Sequence, residues 1–408
     1  MSTPGIVVVG AGPAGWWAVR SLRRLGHDGP ITLLGAERHP TYERPPLSKA
    51  YLTGERDAAS LVMAKPEAIA AAGVTFHAGA NVVAIDRESR RVRLHGGEEV
   101  PYDRLLLATG RAPRRLGWEG VDESRVHVLR DLDDADRLRP CLGAGRSLAV
   151  IGGGFIGLEV AASARMLGTA VTVIELAPRL MGRAVPEPIA AFVEARHRAE
   201  GVDLRLGRRV ATVHEEGSRL RLRLDDDRAI HADAILVGIG AVPRTRLASE
   251  AGLEVDDGIV TDSSLRTSDP LIFAAGDVVA LRWPDGTVLR QETWKNAEVQ
   301  GTLAARTMLG AALGQDAMAW FWSDQYDLSL QVAGSPEHAV TTVERPLGPT
   351  MRLLFHLDAQ GRIVAATGVG GAGFGREMTI ARRLVERGTS ATPEALAAAD
   401  TPLKSLIR

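Results

Sequence analysis

Two short stretches of this 408-residue chain place glycines where a backbone can wrap a phosphate: Gly10-Ala11-Gly12-Pro13-Ala14-Gly15 and Gly152-Gly153-Gly154-Phe155-Ile156-Gly157. In each, the first glycine permits a tight turn and the second lets the backbone approach a pyrophosphate. The third lets a helix pack close to a strand. A helix that starts at such a turn offers free N–H groups and the positive end of its dipole to an anion. An acid stands about 20 residues past each turn, Glu37 and Glu175, placed to accept hydrogen bonds from ribose hydroxyls. One such motif alone is weak evidence, because glycine-rich turns also serve plain packing.

The flanking elements strengthen it. Ile6-Val7-Val8-Val9 and Leu148-Ala149-Val150-Ile151 are short, fully apolar runs of the kind that form buried parallel strands. Helical patterns follow from Ala14 to about Leu25 and from Leu158 to Leu167. Second strands, Ile31 to Leu34 and Val171 to Ile174, lead to the two acids. The whole unit therefore occurs twice, 142 residues apart from Gly10 to Gly152, and this repeat is the strongest feature of the chain. Leu105-Leu106-Leu107-Ala108-Thr109-Gly110 reads as a further strand and small-residue turn, with Ala234 to Gly240 as its counterpart. Phe273-Ala274-Ala275-Gly276-Asp277 puts an acid just after a short strand. Beyond Trp320 the texture changes: Met351 to His356 and Arg362 to Thr367 read as strands joined near Gly361. Helices are expected at Arg376 to Glu386 and Pro393 to Ala399. The expected fold class is α/β with a C-terminal α+β domain.

Composition narrows the chemistry. A formal net charge of −1 gives no basic excess for nucleic acid or an anionic membrane. The apolar stretch from Ile6 to Val19 has no Lys or Arg before it, and that from Ser147 to Ala164 contains Glu159 and a glycine turn. Neither reads as a signal or membrane segment, and a soluble, cytoplasmic protein is expected. Cys141 is the single cysteine. It cannot make an internal disulfide, a CxxC pair or a cysteine metal site, and no metal site is expected.

With these motifs in place, the chain resembles the FAD-dependent NADH–ferredoxin reductases of oxygenase systems, within the glutathione-reductase-like flavoproteins. The resemblance spans about residues 5 to 405. It rests on both glycine turns and on Tyr42-Glu43-Arg44-Pro45-Pro46-Leu47-Ser48-Lys49, Ala108-Thr109-Gly110 and Ala275-Gly276-Asp277. It rests further on Glu292-Thr293-Trp294 and Trp320-Phe321-Trp322-Ser323-Asp324-Gln325. The Glu-Arg-Pro-Pro-Leu-Ser-Lys and Trp-Phe-Trp-Ser-Asp-Gln stretches are more specific than any glycine fingerprint. Within the family the likeness is nearest to reductase components of biphenyl-type aromatic-ring dioxygenases, with the putidaredoxin and rhodocoxin reductases more distant.

The resemblance implies a two-dinucleotide-binding-domain fold: a discontinuous FAD domain (1–112 and 245–318), an NADH domain (113–244) and a C-terminal α+β domain (319–408). FAD contacts are implied at Gly10, Gly12, Pro13, Ala14, Gly15, Glu37, Arg44, Lys49, Val82, Ala108, Thr109, Gly110, Arg130, Asp277, Glu292, Thr293, Trp294 and Trp320. NADH contacts are implied at Gly152, Gly153, Gly154, Phe155, Ile156, Gly157, Glu159, Glu175, Arg183, Gly238, Ile239 and Gly240. Lys49, Glu159 and Trp320 would be catalytic: Lys49 beside the reactive edge of the flavin, Glu159 near the nicotinamide, Trp320 shielding the ring or facing the acceptor. Each has a plainer alternative: a solvated surface charge, a dipole-favoured acid in a helix first turn, and a core aromatic. Glu175 would select NADH by repelling the 2′-phosphate of NADPH, although Arg179 and Arg183 follow it.

The implied reaction is hydride transfer from NADH to flavin N5, then two one-electron steps to a separate [2Fe–2S] ferredoxin. That ferredoxin would feed a terminal oxygenase, an aromatic-ring dioxygenase or a cytochrome P450. The absent cysteine pair means that electrons leave the flavin directly. Two alternatives stay open: an NADH oxidase or diaphorase, and a redox-switched binding flavoprotein that responds to NADH. Monomer and homodimer are both open. The Gly368–Gly375 segment, GVGGAGFG, departs from the family pattern; a flexible loop there would alter ferredoxin docking or oxygen access, which bears on the partner and not on the cofactors.

Overall fold

A computed structural model describes residues 5–182, 184–283, 285–311 and 318–407. The chain divides into two units. The first comprises Met1–Glu43, Ala58–Ala112 and Ala241–Ala317. The second comprises Arg44–Asp57, Pro113–Gly240 and Met318–Arg408.

The first unit is built on a five-stranded parallel sheet in the order Ile272–Ala274, Arg104–Leu107, Ile6–Val9, Ile31–Gly35, Val74–Ala78. The strand Ile6–Val9 sits at its centre, buried at every position, which is why its sequence has no polar alternation. Helix Pro13–Arg24 starts one residue earlier than its sequence pattern suggests, because Pro13 suits the first helical position. It packs against helix Trp294–Met308 so closely that a Cβ on Gly301 would overlap the Ala14 carbonyl oxygen.

The second unit repeats this plan. Its parallel sheet runs Asp203–Leu206, Ala170–Glu175, Ser147–Ile151, Ala234–Val237, Val126–His127. Helix Phe155–Met166 follows the central strand. Each unit also carries a three-stranded antiparallel meander, Val82 to Pro101 in the first and Val210 to Ala232 in the second. The edge strand beyond 104–107 or 234–237 has a different source in each: later chain (272–274) in the first unit, earlier chain (126–127) in the second.

The end of the chain forms a five-stranded antiparallel sheet in the order Trp320–Gln325, Leu328–Gly334, Ile363–Gly370, Met351–Leu357, Thr341–Arg345. Helix Phe374–Glu386 packs on it and the short helix Pro393–Ala397 follows. Buried Arg345 donates to the carbonyls of Leu396, Ala398, Ala399 and Thr401, at 2.7 to 3.3 Å, and so ties down the last segment.

The expected flexible loop at 368–375 is corrected. Gly368 and Gly370 are the buried end of strand Ile363–Gly370, and only residues 371–373 turn before the helix. These glycines are needed because the Phe374 ring lies on the strand. A Cβ on Gly368 would come within 2.6 Å of Phe374 Cζ and 2.8 Å of the Arg352 carbonyl oxygen.

Two outcomes follow from the C-terminal sheet. Gly368→Ala forces Phe374 off its seat and lowers stability by about 1–3 kcal/mol, read as a lower Tm. His356 is buried, with Thr342 Oγ1 3.1 Å from Nδ1 and Thr367 Oγ1 3.1 Å from Nε2. Burial lowers its pKa from 6.5 to about 4. Between those values the unfolded ring binds a proton that the folded ring does not, so stability falls as pH drops through that window. This residue is expected to remove about 2 kcal/mol between pH 7 and pH 5. Urea unfolding at the two pH values measures it, and His356→Gln abolishes that part of the difference.

Candidate active site

The first glycine turn is closed on itself. Gly10 holds φ +116°, and a Cβ there would overlap the Ala108 carbonyl oxygen. A Cβ on Gly15 would overlap the Gly10 carbonyl oxygen. Helix Pro13–Arg24 therefore starts hard against the end of the central strand. Its N-cap is Gly12 and no side chain caps its first N–H groups. Tyr42 donates to Glu37 Oε2 at 2.5 Å and aims that carboxylate. Thr109 Oγ1 donates to the Arg244 carbonyl at 2.9 Å, and Gly110 turns the chain at φ +65°.

Gly276 reaches the same helix start: a Cβ on it would lie 2.9 Å from Ala14 Cβ. This brings the turn holding Asp277 to the glycine cradle. Asp277 precedes strand Val279–Arg282 and caps no helix. Thr293 does cap one, accepting from the Asn296 N–H at 3.0 Å ahead of Trp294. Glu292 pairs with Arg111 at 2.8 Å, while burial pushes its carboxyl above the usual range. Val82 is a buried core side chain at the start of its strand.

The second turn repeats the geometry with a different acid arrangement. Gly152 holds φ +109°, and a Cβ there would overlap the Gly238 carbonyl oxygen. A Cβ on Gly157 would overlap the Gly152 carbonyl oxygen, whereas Gly154 faces open space. Helix Phe155–Met166 is again uncapped by any side chain. Glu175 closes over the turn: Oε2 accepts from the Gly153 N–H at 2.6 Å and Oε1 from the Ala177 N–H at 2.7 Å. Ile156, Leu176 and Ile239 expose large apolar side chains around the same turn, a surface that a flat ring system can cover. Gly240 is left-handed at φ +97°. The Phe155 ring packs edge-on against Phe321, 5.1 Å away. Arg183 lies outside the described residues.

Both turns fit a dinucleotide. Each pairs a side-chain-free helix start, where N–H groups await an anion, with a neighbouring carboxylate for a ribose.

Four of the residues implied as FAD contacts, Arg44, Lys49, Arg130 and Trp320, lie in the second unit. Arg44 Nη1 donates to the Arg130 carbonyl at 2.7 Å, so these two meet. Trp320 stacks on Trp322 at 4.9 Å, and the Arg382 guanidinium lies 5.1 Å from its ring centroid. Trp320 Nε1 is buried without a hydrogen-bond partner among the described residues. Lys49 follows the turn Pro45–Ser48, and its Nζ lies 3.3 Å from Glu159 Oε1 and 3.6 Å from Asp324 Oδ2.

Glu159 is compensated at both carboxylate oxygens. It is 4% exposed, on the buried face of helix Phe155–Met166. Ser48 Oγ donates to Oε2 at 2.5 Å and Ser323 Oγ to Oε1 at 2.6 Å. Burial raises its carboxyl above the ordinary value, against the pull of Lys49 and the two serines. The solvated reading of Lys49 is set aside by these contacts. Ser48 and Ser323 stood inside quoted motifs without a role. Their residue type beside a Lys and an Asp was the only sequence signal, and their partner lies 111 and 164 residues away.

Cys141 is a free thiol near His127 Nε2, at 3.5 Å. Among the described residues no cluster of His, Cys, Asp and Glu can hold a metal, and no helix is long and apolar enough to cross a membrane.

Comparison with known proteins agrees with this geometry. Residues 4–301 match the family model described as pyridine nucleotide-disulphide oxidoreductase, and residues 320–407 match that described as reductase C-terminal. The chain is 40% identical over 412 residues to the anthranilate 1,2-dioxygenase system ferredoxin–NAD(+) reductase component of Burkholderia cepacia, covering 100% of both chains. It is 38% identical over 400 residues to the p-cumate 2,3-dioxygenase system ferredoxin–NAD(+) reductase component of Pseudomonas putida, covering 98% of this chain and 97% of that one. The solved covalent complex of putidaredoxin reductase with putidaredoxin superposes with a TM-score of 0.94 at 35% identity, covering 100% of this chain and 99% of that one. The resemblance read from the sequence holds. With the family model matching residues 4–301 and full-length relatives at 38–40% identity, the chain belongs to the pyridine nucleotide-disulphide oxidoreductase family.

Proposed function

We propose that the protein is an FAD-containing NADH–ferredoxin reductase that supplies a terminal oxygenase. The observation that carries this reading is the doubled, uncapped glycine cradle, one in each unit, in a chain with a single cysteine. FAD, when bound, accepts a hydride from NADH and releases the electrons one at a time.

The chain's own groups bind and orient. The turn Gly10–Gly15 holds the FAD pyrophosphate, with Glu37 on the ribose and Asp277 toward the ribityl chain. Arg44, Lys49, Val82, Ala108–Gly110, Arg130, Glu292–Trp294 and Trp320 complete that set. The turn Gly152–Gly157, with Gly238–Gly240, holds the NADH pyrophosphate. Lys49 supplies a fixed positive charge where negative charge develops on reduction, and Glu159 positions the nicotinamide. The corresponding domains are 1–112 with 245–318 for FAD, 113–244 for NADH and 319–408 at the C-terminus. The partner is a small [2Fe–2S] ferredoxin in the cytoplasm, and the dioxygenase component names of the relatives favour an aromatic-ring dioxygenase system.

Glu175 supports NADH over NADPH. Its carboxylate is held at the turn by two backbone N–H groups, a fixed negative charge where a 2′-phosphate would sit. Arg179 does not offset it. Its guanidinium donates to the Val185 carbonyl at 2.9 Å and the Gly182 carbonyl at 2.5 Å, bracing its own loop.

Anaerobic stopped-flow reduction of the purified flavoprotein tests this. NADH is expected to reduce the flavin at least about tenfold faster than NADPH at equal concentration; equal rates would refute the role of Glu175. A [2Fe–2S] ferredoxin should then strongly stimulate electron transfer to cytochrome c. Fast NADH oxidation by oxygen with no stimulation by ferredoxin would establish the oxidase reading instead.

A further inference from the structure

Behind Glu159 runs a chain of buried polar groups to which the reductase reading gives no part. Ser323, which donates to Glu159, accepts from Gln325 Nε2 at 3.1 Å. Gln325 Oε1 lies 2.8 Å from His197 Nε2, and His197 Nδ1 lies 3.4 Å from the Tyr326 hydroxyl. His197 is fully buried on helix Glu187–Ala199, and Gln325 and Ser323 are buried on strand Trp320–Gln325.

The donors and acceptors allow one direction only. The Ser323 hydroxyl has one proton, given to the carboxylate, so its oxygen must accept from the Gln325 amide NH2. That fixes the amide with Oε1 toward His197. An amide oxygen only accepts, so His197 Nε2 carries the proton. A neutral ring protonated at Nε2 leaves Nδ1 as an acceptor, which the Tyr326 hydroxyl fills. Burial lowers the pKa of His197 and so keeps the ring neutral. Every proton in the chain thus points from Tyr326 toward Glu159, and such an array stabilises an anion at its end.

We propose that His197 is a positioning residue for Glu159: acting through Gln325 and Ser323, it holds the Glu159 carboxyl as a charged, acceptor-only group. The kinetic consequence rests on the reductase reading, in which Glu159 lies beside the nicotinamide. Without an N–H donor at position 197, the Gln325 amide is free to turn over. Its oxygen then accepts the Ser323 hydroxyl, which leaves Glu159. The charged groups facing this chain are few. Lys49 and Asp324 stand at Glu159. Around His197 are Arg196 on its own helix and Glu200 at that helix's C-cap, Tyr326 and Asp327 from the turn after strand Trp320–Gln325, and Arg165 on helix Phe155–Met166. Arg196 is neutralised by Asp327 at 2.7 Å and Glu200 at 2.9 Å.

The test is an infrared pH titration of the purified flavoprotein without NADH or ferredoxin. The protonated Glu159 carboxyl band is identified by its loss in Glu159→Gln. In His197→Leu the midpoint of that band is expected to move up by about one pH unit, a tenfold easier protonation. Tyr326→Phe, which removes a single hydroxyl, is expected to shift it less in the same direction, and decides the matter if His197→Leu does not fold. His197→Gln keeps an N–H donor within reach of Gln325 and is expected to stay at the wild-type midpoint. The acid limb of NADH-dependent flavin reduction should move with the band. An unchanged midpoint in folded His197→Leu and Tyr326→Phe, or an equal shift in His197→Gln, would overturn the proposal. Failure of the reductase reading would appear separately, as no reduction of the wild-type flavin by NADH with the infrared titration unaltered.

Discussion

Taking a carboxylate out of water costs several kcal/mol unless charge and hydrogen bonds replace the solvent. Glu159, nearly inaccessible among the buried small and apolar residues of helix Phe155–Met166, sets that requirement for the second unit. The turn Pro45–Ser48 and the strand Trp320–Gln325 are both constrained by it, because each must deliver a hydroxyl to one carboxylate oxygen. Ser163, one turn further along the helix, donates to the Ser48 carbonyl at 2.7 Å and fixes the approach of that turn. Lys49 then has little freedom, since its ammonium is shared between Glu159 and Asp324. Three segments far apart in sequence are thus held in register by one buried charge.

The two glycine cradles solve a different problem by the same means. In both, the turn passes so close to the carbonyl of a neighbouring strand end, Ala108 or Gly238, that no side chain fits at its first position. The cradle is therefore a product of sheet geometry and of the absence of Cβ atoms, and needs no side-chain donor for the phosphate. What differs is the acid. Glu37 is aimed by a tyrosine hydroxyl, whereas Glu175 is braced by backbone N–H groups of its own turn. One plan of backbone thus carries two carboxylates that are braced in different ways.

The parallel sheets were legible in the sequence because strands buried on both faces are written as uninterrupted Val, Ile and Leu. The glycine turns were legible because only glycine tolerates those positions. The antiparallel C-terminal sheet was read in part. Its two strands around Gly361 were plain, but Leu328–Gly334 and Thr341–Arg345 mix polar and apolar residues and carry a weaker signal. The run at 368–375 misled for a physical reason: composition cannot distinguish a glycine that makes room for an aromatic ring from one that frees a loop. Within the site, Lys49 and Glu159 were read through the family resemblance. Gln325 and His197 were given no role, because their function comes from a contact between residues 128 positions apart. Directional hydrogen bonding of that kind leaves no periodic trace.

The bracing of Glu175 bears on how such an enzyme can change over evolutionary time. The side chain that discriminates between the two coenzymes in the proposed reading also satisfies the Gly153 and Ala177 N–H groups and so stiffens the turn that carries the phosphates. Preference and rigidity are therefore not independent traits here. A lineage drifting toward the phosphorylated coenzyme would have to find a second donor or acceptor for the turn before, or together with, the loss of the acid. Single-step conversions would pass through a loosened intermediate, and the route between the two preferences is an uphill one.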